Sequence, residues 1–227
     1  MTLRTNARIA GVMFLLYIAT GVASMIVFGK AVSGEGTAAQ LASIAQHEPA
    51  VRLTVLLTML MFVYAVVLGV TLWALTRHQD PDLAMIALCC RVSEGVIGAA
   101  GAVRMLGLIP VAAAAGAGTP EAATAQALGG LMLAQGGLGV PISATCFAIA
   151  STIFSWLLLR ARSIPAWLAG LGVLASALLL VLLPAQLAGL VKSPVTGYMW
   201  APMALFEVVL AVWLIVKGVA TPAVARP

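Results

Sequence analysis

The sequence predicts an all-α integral membrane protein, a bundle of six transmembrane helices with both termini cytoplasmic. Three observations carry this. Hydrophobic residues make up 63% of the 227 and charged residues only 8%, against about 45–50% apolar and about 25% charged in soluble domains. Apolar runs close to the roughly 20 residues that cross a hydrocarbon core recur about six times. Basic residues also fall mainly on one side of those runs, as the positive-inside rule requires.

The runs lie at about residues 9–28, 51–76, 83–113, 129–159, 164–190 and 198–216. The first follows Arg4 and Arg8, as a secretory signal would. Its apolar part, Ile9–Phe28, is longer than the roughly 7–15 residues of a signal core, and no Ala-x-Ala site precedes Lys30. It is therefore expected to remain as a span. The loop Lys30–Pro49 carries Leu41 and Ile44 at helical spacing, which predicts a short amphipathic helix. The second run, Val51–Thr76, carries one charge, Arg52, at its very start.

The third run, Leu83–Ala113, exceeds a plain crossing, so tilt, a kink or an extension beyond the membrane is expected. Gly95, Gly98, Ala99, Gly101 and Ala102 along it allow another helix to approach closely. Thr119-Pro120-Glu121 then starts a helix running through Ala122–Ala134. It offers an N-cap, a proline at the first helical position and an acid at the positive end of the dipole. The fourth run, Gly129–Leu159, contains Gly129-Gly130, Gly136-Gly137, Gly139 and Pro141. Such breakers predict a kink or a break, and broken helices often mark binding sites in transporters. The fifth and sixth runs, Ile164–Leu190 and Tyr198–Val216, complete one helical domain over residues 1–227, since no linker is long enough to separate two.

The net charge of +5 does not indicate nucleic acid, because the basic residues neither cluster nor interleave with aromatics. With a cytoplasmic N-terminus, that side collects Arg4, Arg8, Arg77, Arg160, Arg162, Lys217 and Arg226. The opposite side keeps Lys30, Arg52 and Lys192. The partner this pattern implies is the lipid bilayer.

Arg91, Glu94 and Glu207 sit deep within the runs, where a central charge costs about 2.5–3.5 kcal/mol on insertion scales and tends to be paired or functional. Arg91 and Glu94 are three apart and share a helix face. Counted from Leu83, Glu94 lies roughly 16 Å into the membrane, and Glu207, counted back from Lys217, lies roughly 15 Å in from the same side. These three form the candidate polar centre between the third and sixth spans. One arginine with two carboxylates has surplus negative charge, so one of Glu94 and Glu207 is expected to hold a proton at neutral pH. Arg104, roughly 31 Å from Leu83, is an accessory candidate that can snorkel to the outer surface. Ser93 and Gln186, with Ser143, Thr145 and Ser151, are further hydrogen-bonding candidates.

Other chemistry finds no residues to carry it. The two histidines, His47 and His78, fall in loops, so no span offers a histidine ligand for zinc or haem or a base for a serine triad. No Gly-rich phosphate loop follows a strand. Cys89, Cys90 and Cys146 lie within spans and read as small hydrophobes. No catalytic residue, metal or cofactor is assigned, and an enzyme is the weakest reading. The leading reading is a membrane protein whose centre binds a small or lipidic ligand. The alternatives are a proton-coupled carrier using Glu94 and Glu207, and a structural protein in which Arg91 and Glu207 staple the third span to the sixth.

Several segments also resemble one family. They are Ala7-Arg-Ile-Ala-Gly-Val-Met-Phe-Leu-Leu-Tyr17, Cys90-Arg91-Val-Ser-Glu94, the turn from Leu159 through Pro165 and Trp167 to Gly170, and the ending Pro202-Met-Ala-Leu-Phe-Glu207 through Trp213 to Gly218. In this order and spacing they are similar to the bacterial membrane family catalogued as domain of unknown function 4386. The resemblance implies a six-span protein of the bacterial cytoplasmic (inner) membrane, with its arginine and glutamate positions at Arg91, Glu94 and Glu207. Ala134-Gln-Gly-Gly-Leu-Gly139 departs from the more polar, sometimes His-containing, start of that family's fourth span.

Overall fold

The computed structural model describes residues 1–191 and 197–220. Lys192 and Arg226, both counted in the charge distribution, lie outside the described residues. Seven helices occur among the described residues: α1 (Leu3–Ala31), α2 (Gly36–Gln46), α3 (Glu48–Thr76), α4 (Pro81–Ala115), α5 (Ala122–Arg160), α6 (Ala166–Leu187) and α7 (Trp200–Val216). Five of them, α1, α3, α4, α5 and α6, are long and apolar enough to cross a membrane. The apolar α7, at 17 residues, is shorter. The architecture is that of an α-helical membrane protein.

Local chemistry sets the helix ends. Thr2 accepts the Thr5 amide at 3.1 Å and caps α1. Asp80 accepts the Leu83 amide at 3.0 Å, and Pro81 occupies the first position of α4. Before α5, the exposed Glu121 carboxyl is held below its ordinary range by its own backbone amide and the Thr119 hydroxyl. Helix α7 ends where Gly218 takes φ 74° and its amide turns back to the Trp213 carbonyl at 3.1 Å, a left-handed stop that glycine adopts without strain.

The described residues divide into two compact units. The first contains Met1–Tyr17, Val63–Gly95 and the described residues from Pro141 onward; the second contains Ile18–Phe62 and Val96–Val140. In the first unit a large apolar core runs from Ala7 and Phe14 through Leu68 and Leu72 to Phe154, Leu179, Phe206 and Leu210. Backbones come very close there. A methyl group on Gly11 would stand 2.6 Å from the Ala211 carbonyl, and one on Gly172 would stand 2.6 Å from Ser155 Oγ. In the second unit Leu41 and Ile44 of α2 are buried with Val51, Leu108 and Ala112. The spacing that predicts an amphipathic α2 therefore holds.

Helix α5 departs from expectation. It runs unbroken from Ala122 to Arg160 and includes Pro141, in place of a short loop helix followed by a broken span. Three of its glycines serve close approach instead: Gly129 faces Leu41, Gly130 faces Thr37 and Gly136 faces the Arg104 guanidinium. With neighbours packed onto the missing side chains, the glycines give contact area where in water they would expose backbone.

Candidate functional site

The site is built within the first unit, from α4 outward. Three residues of helical spacing set Arg91 and Glu94 on one face of α4, and Arg91 Nη1 donates to Glu94 Oε2 at 2.6 Å. Tyr17, near the middle of α1, donates its hydroxyl to Glu94 Oε1 at 2.5 Å. From α5, Ser143 Oγ donates to the Glu94 backbone carbonyl at 3.1 Å. Each carboxylate oxygen thus accepts one strong hydrogen bond, as a buried charge requires. Arg91 is 1% exposed and Glu94 4%.

Aromatic rings hold the guanidinium further. Arg91 Cζ lies over the Tyr17 ring at 5.2 Å from its centroid and over the Phe147 ring at 5.0 Å. Contacts of this kind strengthen when water is excluded. Phe147 stacks in turn on Trp200 of α7, with centroids 6.0 Å apart. Gly69 of α3 makes room at the base of the side chain, where a methyl would stand 3.1 Å from Arg91 Cβ.

One edge of the guanidinium is left over. Arg91 Nε and Nη2 are buried and have no hydrogen-bond partner. Arg91 also lines a cavity of about 10 Å³, together with Ser151, Ser155, Phe14, Phe154 and Phe206. That is room for about one water molecule. Ser151 and Ser155 are four apart on α5 and so share a face.

Glu207, on the buried face of α7, is 7% exposed, and its Oε1 is buried without a partner. It makes no ion pair with Arg91. The expected Arg91–Glu207 staple is therefore not formed as a direct ion pair; Arg91 pairs through Nη1 with Glu94, three residues along its own helix. The connections between helices run through Tyr17 and Ser143 to Glu94 instead.

The accessory candidates separate. Arg104 belongs to the second unit, and its Nη1 donates to the Met132 carbonyl at 2.8 Å in place of snorkelling alone. Ser93 is exposed, and Gln186 is half-buried with no side-chain hydrogen bond. Thr145 bonds back to the Pro141 carbonyl on its own helix at 2.8 Å. Tyr17, Phe147 and Ser155 were not singled out by sequence reasoning. For Tyr17 a signal existed: counted from Ile9 it lies roughly 12 Å in, near the depth of Glu94, and a buried tyrosine hydroxyl needs a partner. Among the described residues no group of three His, Cys, Asp or Glu side chains is arranged to hold a metal ion.

The fold and this centre define an all-α membrane protein with a hydrogen-bonded ion pair buried among its helices. Residues 9–218 match the family model described as Domain of unknown function (DUF4386), and the chain belongs to that family. No curated protein and no solved structure matches the chain.

Proposed function

We propose that this is a multipass protein of the bacterial inner membrane that binds a small ligand at the Arg91–Glu94 centre. The observation that carries the reading is the free Nε/Nη2 edge of Arg91, fully buried and beside a cavity. Unpaired buried donors of a charged group are expensive, and a site that keeps them is built to spend them on something. Ser151 and Ser155 line the same cavity and supply further polar contacts. In this reading the whole chain is one transmembrane domain with both termini cytoplasmic. Helix α7 serves as the sixth crossing, since its 17 residues fall at the short end of the range of about 17–25 that spans a bilayer.

Native mass spectrometry of protein purified in mild detergent tests the reading. The wild type is expected to carry a small co-purified adduct that Arg91→Lys loses. A wild type of bare chain mass under conditions that preserve lipid adducts leaves the structural reading in its place.

A second reading, proton-coupled transport, is favoured by a separate observation: Glu207 keeps a buried, unpartnered oxygen in the same unit as Tyr17 and Glu94. In proteoliposomes it predicts proton uptake that Glu207→Gln abolishes.

A further inference from the structure

The free edge of Arg91 restricts what chemistry it accepts. In a guanidinium, Nε–H and the outer N–H of Nη2 point the same way and form a two-pronged donor. In Arg91 these are the two nitrogens without a partner, while Nη1 is committed to Glu94. The fork is therefore whole. Two donors converging on one point suit either a planar oxyanion, one oxygen per prong, or a single oxygen accepting both.

Size decides first. A cavity of about 10 Å³ holds one water-sized group, and a carboxylate needs about three times as many heavy atoms. Its walls include bulky apolar side chains, among them Phe14, Phe154 and Phe206. The wall by Phe206 and Ser155 cannot retreat freely, since α6 closes on both at Gly172 with no room for even a methyl group.

Charge decides second. The Arg91–Glu94 pair is neutral as it stands, with one guanidinium against one carboxylate at 2.6 Å. Glu207, also buried, brings no positive charge. An anion on the fork would leave a net negative charge in a medium of low dielectric, where uncompensated charge is strongly disfavoured. A neutral oxygen adds no such charge, and its own hydrogen can go to a serine hydroxyl. Ser151 and Ser155 line the same cavity.

We propose that Arg91 Nε–H and Nη2–H, with Ser151 and Ser155, form a seat for one neutral hydroxylic oxygen and reject small oxyanions. The oxygen is that of a water molecule, the hydroxylic species the cavity has room for. This goes beyond the binding reading above and stands without it.

The test is nuclear magnetic resonance on the full chain in lipid nanodiscs, with ¹⁵N-labelled arginine. The Arg91 Nε–H signal is assigned by its loss in Arg91→Lys or, if that variant does not accumulate, by its contacts to the Tyr17 and Phe147 ring protons. The probe is water, with n-propanol and acetate as controls too large for the seat. For a water seat, the Arg91 proton shows a cross-peak to water that Ser155→Val removes by filling the space. Neither n-propanol nor acetate, each larger than the cavity, shifts the signal. An Arg91 proton without a water contact overturns the proposal. Saturable binding of acetate overturns it too, yet leaves the broader ligand reading standing. A water cross-peak in a protein that carries no adduct by mass spectrometry keeps the seat and removes the ligand.

Discussion

Helix α4 carries two arginines, and the protein treats them in opposite ways. Arg91 is buried to 1% exposure, over two aromatic rings and against a carboxylate. Arg104, in the other unit, is half-buried and donates to a backbone carbonyl, with no acid paired to it. The difference shows what a buried charge needs in an apolar protein. A fully desolvated guanidinium requires a counter-charge, whereas a partly exposed one is satisfied by a helix carbonyl that already accepts one bond and has a second lone pair free.

Substitutions should reproduce that contrast. Arg91→Leu leaves Glu94 charged and unpaired, and should lower stability by about 3–5 kcal/mol, read as a large loss of melting temperature or of accumulation in the membrane. Arg104→Leu removes one bond from a half-exposed group and should cost about 1 kcal/mol or less. Comparable losses from the two would break the comparison.

Glu94→Gln ranks next. It keeps the shape of the side chain but removes the counter-charge of a buried guanidinium, and should cost about 3 kcal/mol, the low end for breaking a buried pair because the amide oxygen still accepts from Arg91. Glu207→Leu sharpens the picture from the other direction. Its buried Oε1 has no partner to lose, so chemical denaturation should show a change within about 1 kcal/mol of zero, of either sign. A severe loss there would mean that Glu207 is held by a contact other than those described.

Smaller effects are expected in the second unit and at the start of α5. A methyl at Gly136 would come within 2.8 Å of the Arg104 guanidinium. Gly136→Ala should therefore destabilise the wild type slightly yet stabilise the Arg104→Leu background, where alanine's helix preference of up to about 1 kcal/mol is free to act. Melting temperatures of the four proteins measure this. At Glu121 the folded carboxyl is depressed below its ordinary 4.5. Its contribution is accordingly present above pH 4.5 and lost as pH falls through the lower folded value. Amide exchange in the first turn of α5, corrected for intrinsic rates, should accelerate across that window and lose this pH dependence in Glu121→Gln.

Much of the helical framework was legible in the sequence because membrane physics writes it plainly. Long apolar runs and the Leu41/Ile44 spacing in α2 each correspond to an element in its expected place. The continuity of α5 was not legible. In sequence, Gly129, Gly130 and Gly136 look like breakers, and only the side chains of Leu41, Thr37 and Arg104 lying against them reveal otherwise. The pair Arg91–Glu94 followed from a spacing of three on one helix. The position of Glu207 did not, because equal depth on two helices says nothing of lateral distance or of which acid the arginine chooses. Tyr17 was overlooked for a related reason. Tyrosines in membrane proteins are usually found at the interfaces, and its partner lies 77 residues away in the chain.

The claim on which the rest turns is that Arg91 and Glu94 act as one neutral unit in an apolar interior. A double-mutant cycle in stability, with Arg91→Leu, Glu94→Leu and the two combined, measures it directly. The double variant is expected to be more stable than either single one, because removing both charges costs less than stranding one. Losses that simply add would contradict the account.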